Sequence, residues 1–145
     1  MIDLGHWQTQ LLLENDVIPF GFVYKITCIP LKKMYIGKKQ CISSIKLKPL
    51  KGKKQKRHIT KDSNWREYTS SSRELNEDII KYGKDQFSFE IIKWCESKFD
   101  LSYSEIKIQI ENEVLFRNDY YNGIINVRLS KPKVKDVNRL QDSTV

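Results

Sequence analysis

Two short stretches that alternate residue by residue, joined by a link containing a proline, constrain the fold of this chain more than any other feature. From Gly21 onward, Phe22, Tyr24 and Ile26 fall on one side and Val23, Lys25 and Thr27 on the other, which is the period of a strand. A second stretch of this kind runs from Met34 to Lys39. The link, Cys28-Ile29-Pro30-Leu31-Lys32-Lys33, holds a proline that cannot donate to a ladder, so it belongs between strands. The pair reads as an antiparallel hairpin. An isolated hairpin is marginal in water, so other elements must cover it.

The covering elements are readable downstream. In SSRELNEDIIKYGK, Ser71 stands three residues before Glu74 as a capping box, Leu75 and Ile79 lie one turn apart, and Gly83 stops the helix. FSFEIIKWC sets Phe87, Phe89 and Ile91 against Ser88, Glu90 and Ile92 and predicts a third strand. Further on, Ile106, Ile110 and Val114 recur at helical spacing to about Phe116, with Ser102 and Glu105 placed as a second capping box. At the start, Leu4, Trp7 and Leu11 fall on a helical repeat behind Asp3, which predicts a short N-terminal helix. Near the end, Asn122-Gly123 is a turn signal. The order strand, strand, helix, strand, helix predicts an α+β domain, a small three-stranded antiparallel sheet flanked by helices, with an additional N-terminal helix. Residues 1–19 form the helical extension, 20–129 the domain, and 130–145 a polar C-terminal tail.

Charge adds a partner. The chain carries 26 Lys+Arg against 18 Asp+Glu, a formal net charge of +8, and the segment from Lys46 to Lys61, KLKPLKGKKQKRHITK, holds 8 Lys/Arg and no acid. That segment equals the whole excess, so the molecule is a neutral body with one basic piece attached, as expected for a polyanion contact. Lys46, Lys48, Lys51, Lys53, Lys54, Lys56 and Arg57 are the candidate DNA-binding residues, and Pro49 and Gly52 among them predict a mobile loop over residues 46–61. The segment lacks the interleaved aromatics of a membrane-surface helix. Without a run of 18 apolar residues or a basic-then-apolar leader, a cytoplasmic location is expected. Cys28, Cys41 and Cys95 form no CxxC pair and only His6 and His58 are present, which argues against a disulfide framework or a zinc site.

No P-loop, GxGxxG, GxSxG or HExxH signature occurs. What stands out is Tyr24 in GFVYKIT and Tyr35 in KMYIGKK, with ten residues between them. This pattern resembles the GIY-YIG nuclease family, whose hallmark is two such tripeptides on adjacent strands followed by helix, strand and helix. The Tyr-Ile-Gly tripeptide and the spacing match, whereas Phe22 and Val23 stand where the family name has glycine and isoleucine. The resemblance covers residues 20–126 and is nearest to phage-type and restriction-type members in which YIGKK leads through a basic insertion to a W-R-x-Y-x-S-S segment, here Trp65 to Ser71.

The resemblance implies a metal-dependent DNA endonuclease that leaves 5′-phosphate and 3′-hydroxyl ends. Tyr24 would orient or deprotonate the attacking water and Tyr35 would support it. Lys38 is the nearest cation in sequence able to lower a phenol pKa, although a regular strand turns it away from Tyr35 unless Gly37 marks a bulge. The arginine and histidine that many members carry on the first helix are not matched here. Arg66 is the preferred replacement for charge on the transition state, with Arg57 and Arg73 in reserve and His58 in the basic loop. Glu105 would hold Mg²⁺, with Mn²⁺ as an alternative. Two glutamate–asparagine pairs are admissible, Glu105 with Asn122 and Glu111 with Asn126, and the aromatic-Asn ending Tyr120-Tyr121-Asn122 favours the first. DNA is the expected partner, with a homodimer or higher homo-oligomer formed on it, and the host cytoplasm is the location if the chain is phage-encoded. The alternative is a catalytically inactive DNA- or RNA-binding module of the same fold.

Overall fold

The computed structural model describes residues 2–13, 16–126 and 128–132, so the predicted tail from residue 133 onward lies outside the described residues. The hairpin forms. Strand β1 (Gly21–Cys28) pairs antiparallel with β2 (Lys33–Gln40), and Tyr24 stands opposite Gly37 and Ile26 opposite Tyr35. After a two-stranded ribbon, β3 (Ile42–Leu47) and β4 (Arg57–Asp62), come helix α1 (Arg73–Tyr82), strand β5 (Phe87–Cys95) and helix α2 (Lys98–Glu111). β5 pairs antiparallel with the free side of β1, giving the expected three-stranded sheet in the order β2-β1-β5.

β1 is central because it is apolar on both faces. Phe22, Tyr24, Ile26 and Cys28 pack with Trp7, Trp65, Leu75, Phe87, Phe89 and Ile91 on one side. Val23 and Ile36 pack with Cys95, Leu101, Val114 and Tyr120 on the other. The sheet therefore separates two cores, one under α1 and one under α2. Each large side chain fully buried there contributes about 1.5–3 kcal/mol.

Helix boundaries depart slightly from the sequence signals. The N-cap of α1 is Ser72, whose hydroxyl accepts from the Leu75 N–H, one residue later than the predicted box, and Gly83 at φ 94° ends the helix. α2 begins earlier than predicted, capped by Ser97, so Ser102 lies inside it and the Ser102–Glu105 capping box does not form. Its predicted apolar stripe is also corrected: Val114 is buried but Ile110 is exposed, and the inward face instead carries Leu101, Ser102, Ser104 and Gln109.

Two expectations are overturned more fully. Among the described residues 2–13 there is no helix, and Gln8 instead forms a parallel bridge to Glu90 of β5. The cause is tertiary. Gly5 adopts φ +63°, and a Cβ there would lie 2.2 Å from the Arg66 carbonyl oxygen. Trp7, 3% exposed, leaves the repeat to donate its indole N–H to the Trp65 carbonyl at 2.6 Å. Burial of that ring outweighs the weak local preference for a helix. The predicted mobile loop over residues 46–61 is corrected as well. Its ends pair from Leu47 opposite Arg57 to Ile42 opposite Asp62, leaving residues 48–56 as the connection. The β-branched Ile42, Ile45, Ile59 and Thr60 supply strand preference that the lysines obscure.

Candidate active site

The outer edge of β2 has no neighbouring strand, so its backbone groups need other partners. The chain supplies one at each outward position. The Met34 N–H donates to the Asp119 carbonyl at 2.8 Å, and the Met34 carbonyl accepts from Tyr121 at 2.7 Å. Asn122 clasps Ile36, its Oδ1 accepting from the Ile36 N–H at 3.0 Å and its Nδ2 donating to the Ile36 carbonyl at 2.8 Å. Gln109 of α2 donates to that same carbonyl at 2.9 Å. One position further, the Lys38 N–H meets the carboxylate of Glu105. The stripe Ser102, Glu105 and Gln109 on α2, spaced by three and four, is thus turned toward the strand edge. Apolar periodicity could not reveal this face, because its residues are polar.

Tyr24 reaches the same place from the other side of the sheet. It points into the α1-side core, 1% exposed, and lies across Gly37, its partner in the register. A Cβ at Gly37 would come within 2.5 Å of the Tyr24 hydroxyl and 2.8 Å of the Tyr35 ring. The missing side chain lets both phenols run out to the edge, their ring centres 6.2 Å apart. The result is a cleft of about 340 Å³ lined by Tyr24, Tyr35, Lys38, Tyr68, Glu105 and Gln109, together with Ser71, Ile124 and Asn126. A larger groove of about 770 Å³ beside it shares Lys38 and Asn126 and adds Ser102 and the cations Lys98, Arg128 and Lys131. The smaller space gathers the two tyrosines, Lys38 and Glu105, and the larger one beside it is bordered by further cations.

Burial dominates the electrostatics. It pushes the Tyr24 phenol well above its ordinary value of 10.0, and the neighbouring Tyr35, Tyr68 and Glu105 push it further. Tyr35 moves up too, again chiefly through burial, against a lowering by its hydrogen bond with Ser71. Glu105 is raised above 4.5 by burial, opposed by the Lys38 ammonium and by its backbone N–H. The expectation that Lys38 lowers a tyrosine pKa therefore gives way to the opposite direction. No bulge interrupts the β1–β2 register, so Lys38 stays on the α2 face, donating to the Ser102 hydroxyl at 2.9 Å.

The structure brings Tyr24, Tyr35, Lys38 and Glu105 to one cleft, and does not bring Arg66 there. The Arg66 Nε donates to the Asp3 carbonyl at 2.8 Å, and its guanidinium lies 4.4 Å from the centre of the Trp65 ring. Of the reserves, Arg57 lies on the ribbon and Arg73 pairs with Glu77 at 3.0 Å, while His58 is exposed on β4. The asparagines exchange places: Asn122 is spent on Ile36, whereas Asn126 lines the cleft with Glu105, and Glu111 is exposed. Tyr68, Ser71 and Gln109 line the cleft without having been singled out for it. The W-R-x-Y-x-S-S segment held the signal for the first two, and the i, i+4 spacing from Glu105 held it for Gln109.

A hydrated divalent ion suits these residues. Among the described residues, Glu105 is the one acidic side chain lining the cleft, and no three His, Cys, Asp or Glu side chains cluster. A single carboxylate matches an ion that keeps most of its water and takes further oxygens from a substrate phosphate. Gln109, 4% exposed, leaves its Oε1 buried without a partner, and its donor to Ile36 fixes that oxygen as an acceptor.

The family described as "Putative endonuclease segE, GIY-YIG domain" matches residues 7–125 of the chain. No curated protein and no solved structure matches it.

Proposed function

This chain belongs to the GIY-YIG endonuclease family, and from that premise we propose that it hydrolyses phosphodiester bonds in DNA with Mg²⁺ or Mn²⁺ held at Glu105. The observation that carries the reading is the meeting of Tyr24, Tyr35 and Glu105 at the edge of β2, reached from opposite faces of one sheet. When bound, the ion supplies positive charge to the phosphoryl and leaving oxygens. Tyr24, a neutral phenol at pH 7, orients the attacking water by hydrogen bonding, and Tyr35 fixes the direction of that network through Ser71. Lys38 places an ammonium beside the carboxylate and faces the charge that develops on phosphorus oxygens. Water oxygen bonds to phosphorus and the bond to O3′ breaks; the proton that the water gives up is balanced by one taken up at O3′, which leaves as a hydroxyl.

The basic segment, Lys48, Lys51, Lys53, Lys54, Lys56 and Arg57 with Lys46, holds the DNA backbone and makes affinity fall with salt. Cutting both strands with one cleft requires a second pass or a second copy, so self-association on DNA belongs to this reading. A second reading, a DNA- or RNA-binding module without hydrolysis, draws support from the cleft, where the described residues include no arginine.

Supercoiled plasmid separates the two. Nicking or linearisation is expected with Mg²⁺, and EDTA or Glu105→Gln abolishes it while binding remains. Tight, salt-sensitive binding without cleavage in either metal would overturn the nuclease reading and leave the binding module.

A further inference from the structure

The β3–β4 ribbon adds little to the core, which it meets at its base through the partly buried Ile42. Every residue of β4 is exposed, including Ile59 at 44%, and neither strand belongs to the three-stranded sheet. A lone two-stranded ribbon gains little stability by itself, so its residues answer to something outside the fold.

The register sorts its side chains into two unlike faces. Arg57, Ile59 and Lys61 share one face of β4, with Leu47 and Ser43 opposite them on β3. The reverse face carries His58, Thr60 and Asp62, with Ser44 and Ile42 across. The first face has two cations flanking an exposed apolar side chain and no acid; the second places a carboxylate where a phosphate would be repelled. The connecting residues Lys48, Lys51, Lys53, Lys54 and Lys56 are all exposed beside them.

The ribbon is held to the body at its base. The Cys41 N–H donates to the Phe20 carbonyl at 2.8 Å and the Ser63 N–H to the Cys41 carbonyl at 2.9 Å. The Ser63 hydroxyl donates to the Gln40 carbonyl at 2.6 Å. Its root is therefore fixed only a few residues past Lys38 of the cleft.

We propose that this ribbon enters the major groove of duplex DNA and reads base pairs with its Arg57–Ile59–Lys61 face, making cleavage sequence-preferring. This rests on the nuclease reading only for DNA as the ligand. Two strands about 5 Å apart with their side chains fit a major groove of about 12 Å and not a minor groove of about 6 Å. Six residues span about 20 Å, the length of about six base pairs. Arg57 suits a guanine edge and Ile59 a thymine methyl, while the lysines of the connection meet backbone phosphates. The fixed root sets the cut within about one helical turn, ~34 Å, of the bases read.

The test is selection of bound duplexes from a randomised pool by the full chain carrying Glu105→Gln, followed by mapping of cuts made by the unsubstituted chain on the selected sequence. A motif is expected, with cuts at a fixed offset. Arg57→Ala relaxes one G·C position by about 5- to 150-fold and Ile59→Ala weakens one A·T position. Thr60→Ala, on the reverse face, leaves the motif as it is, and double-stranded RNA of the same sequence does not compete, because its major groove is too narrow. No motif, a motif indifferent to Arg57→Ala and Ile59→Ala, one equally disturbed by Thr60→Ala, or equal competition by RNA overturns the proposal. A motif without cutting would retire the nuclease reading and keep the ribbon; cutting without a motif would do the reverse.

Discussion

The protein contains two antiparallel hairpins of similar size, and they are used in opposite ways. β1–β2 lies between two cores, so its side chains are decided by packing: Phe22, Val23, Tyr24 and Ile26 are each at most 1% exposed. β3–β4 projects from the body: Ile42 at its base packs against the core, while every residue of β4 is exposed. Burial in the first hairpin lifts the pKa of Tyr24 and Tyr35. Exposure in the second leaves Arg57 and Lys61 in solvent. On the proposed reading, chemistry belongs to the hairpin that packing holds and recognition to the one that projects.

The sharpest way to break this contrast is at the buried hairpin. Tyr24→Phe should lower plasmid cleavage by about 10²- to 10⁴-fold with little change in melting temperature, read from initial rates beside a thermal scan. A melting temperature that collapses instead would assign Tyr24 to the core alone. The next largest effect compares two glycines. Gly37→Ala drives a methyl to 2.5 Å from the Tyr24 hydroxyl and should cost about 1–3 kcal/mol while displacing both phenols. Gly52→Ala, at φ +84° with nothing within 4 Å, should cost about 1 kcal/mol and spare cleavage. Urea midpoints and nicking rates for the pair test both.

Asn122→Ala probes the strand edge: it leaves the buried Ile36 N–H unpaired and should cost about 1–3 kcal/mol in chemical denaturation. Acid provides a smaller effect. The Nε2 of His6 donates to the Tyr68 carbonyl at 2.9 Å, while its Nδ1 is buried without a partner, and burial with the nearby Lys84 pushes its pKa down to about 4. The unfolded chain thus takes up a proton from pH 6.5 downward that the fold refuses. Stability present above 6.5 is lost as pH falls toward 4, by about 1–2 kcal/mol after solvent screening. Melting curves across that range should show the loss, and His6→Gln should flatten it. The smallest effect on stability belongs to the exposed hairpin. Replacing Lys53 and Lys54 by alanine should leave unfolding unchanged yet reduce the salt slope of DNA binding by about 2.

The parts of the fold legible in sequence were those with short-range patterns. The alternation in β1 and β5, Leu75 and Ile79 on α1, and Gly83 as its stop needed no distant partner to be read. The tyrosines were legible through their spacing. The path of residues 2–13 was not, because Trp7 is placed by Trp65 and Phe89, far away in sequence. Arg66 was misplaced for the same reason: its partner, the Asp3 carbonyl, is a backbone group of another segment. The choice between Asn122 and Asn126 depended on which one the edge of β2 consumed, a question of hydrogen-bond demand that residue spacing does not encode. Lysine abundance made residues 57–62 look like loop, although Ile59 and Thr60 favour a strand.

Both flanks of the three-stranded sheet are already engaged. On β5, the Gln8 N–H bonds the Phe89 carbonyl and the Gln8 carbonyl accepts from Ile91, both at 2.8 Å. On β2, Asp119, Tyr121, Asn122 and Glu105 occupy the outward groups. Along these stretches the sheet edges offer no free template for another copy's strand. Two copies acting on one duplex would therefore not join through these stretches, and contacts elsewhere or the DNA itself would bring them together.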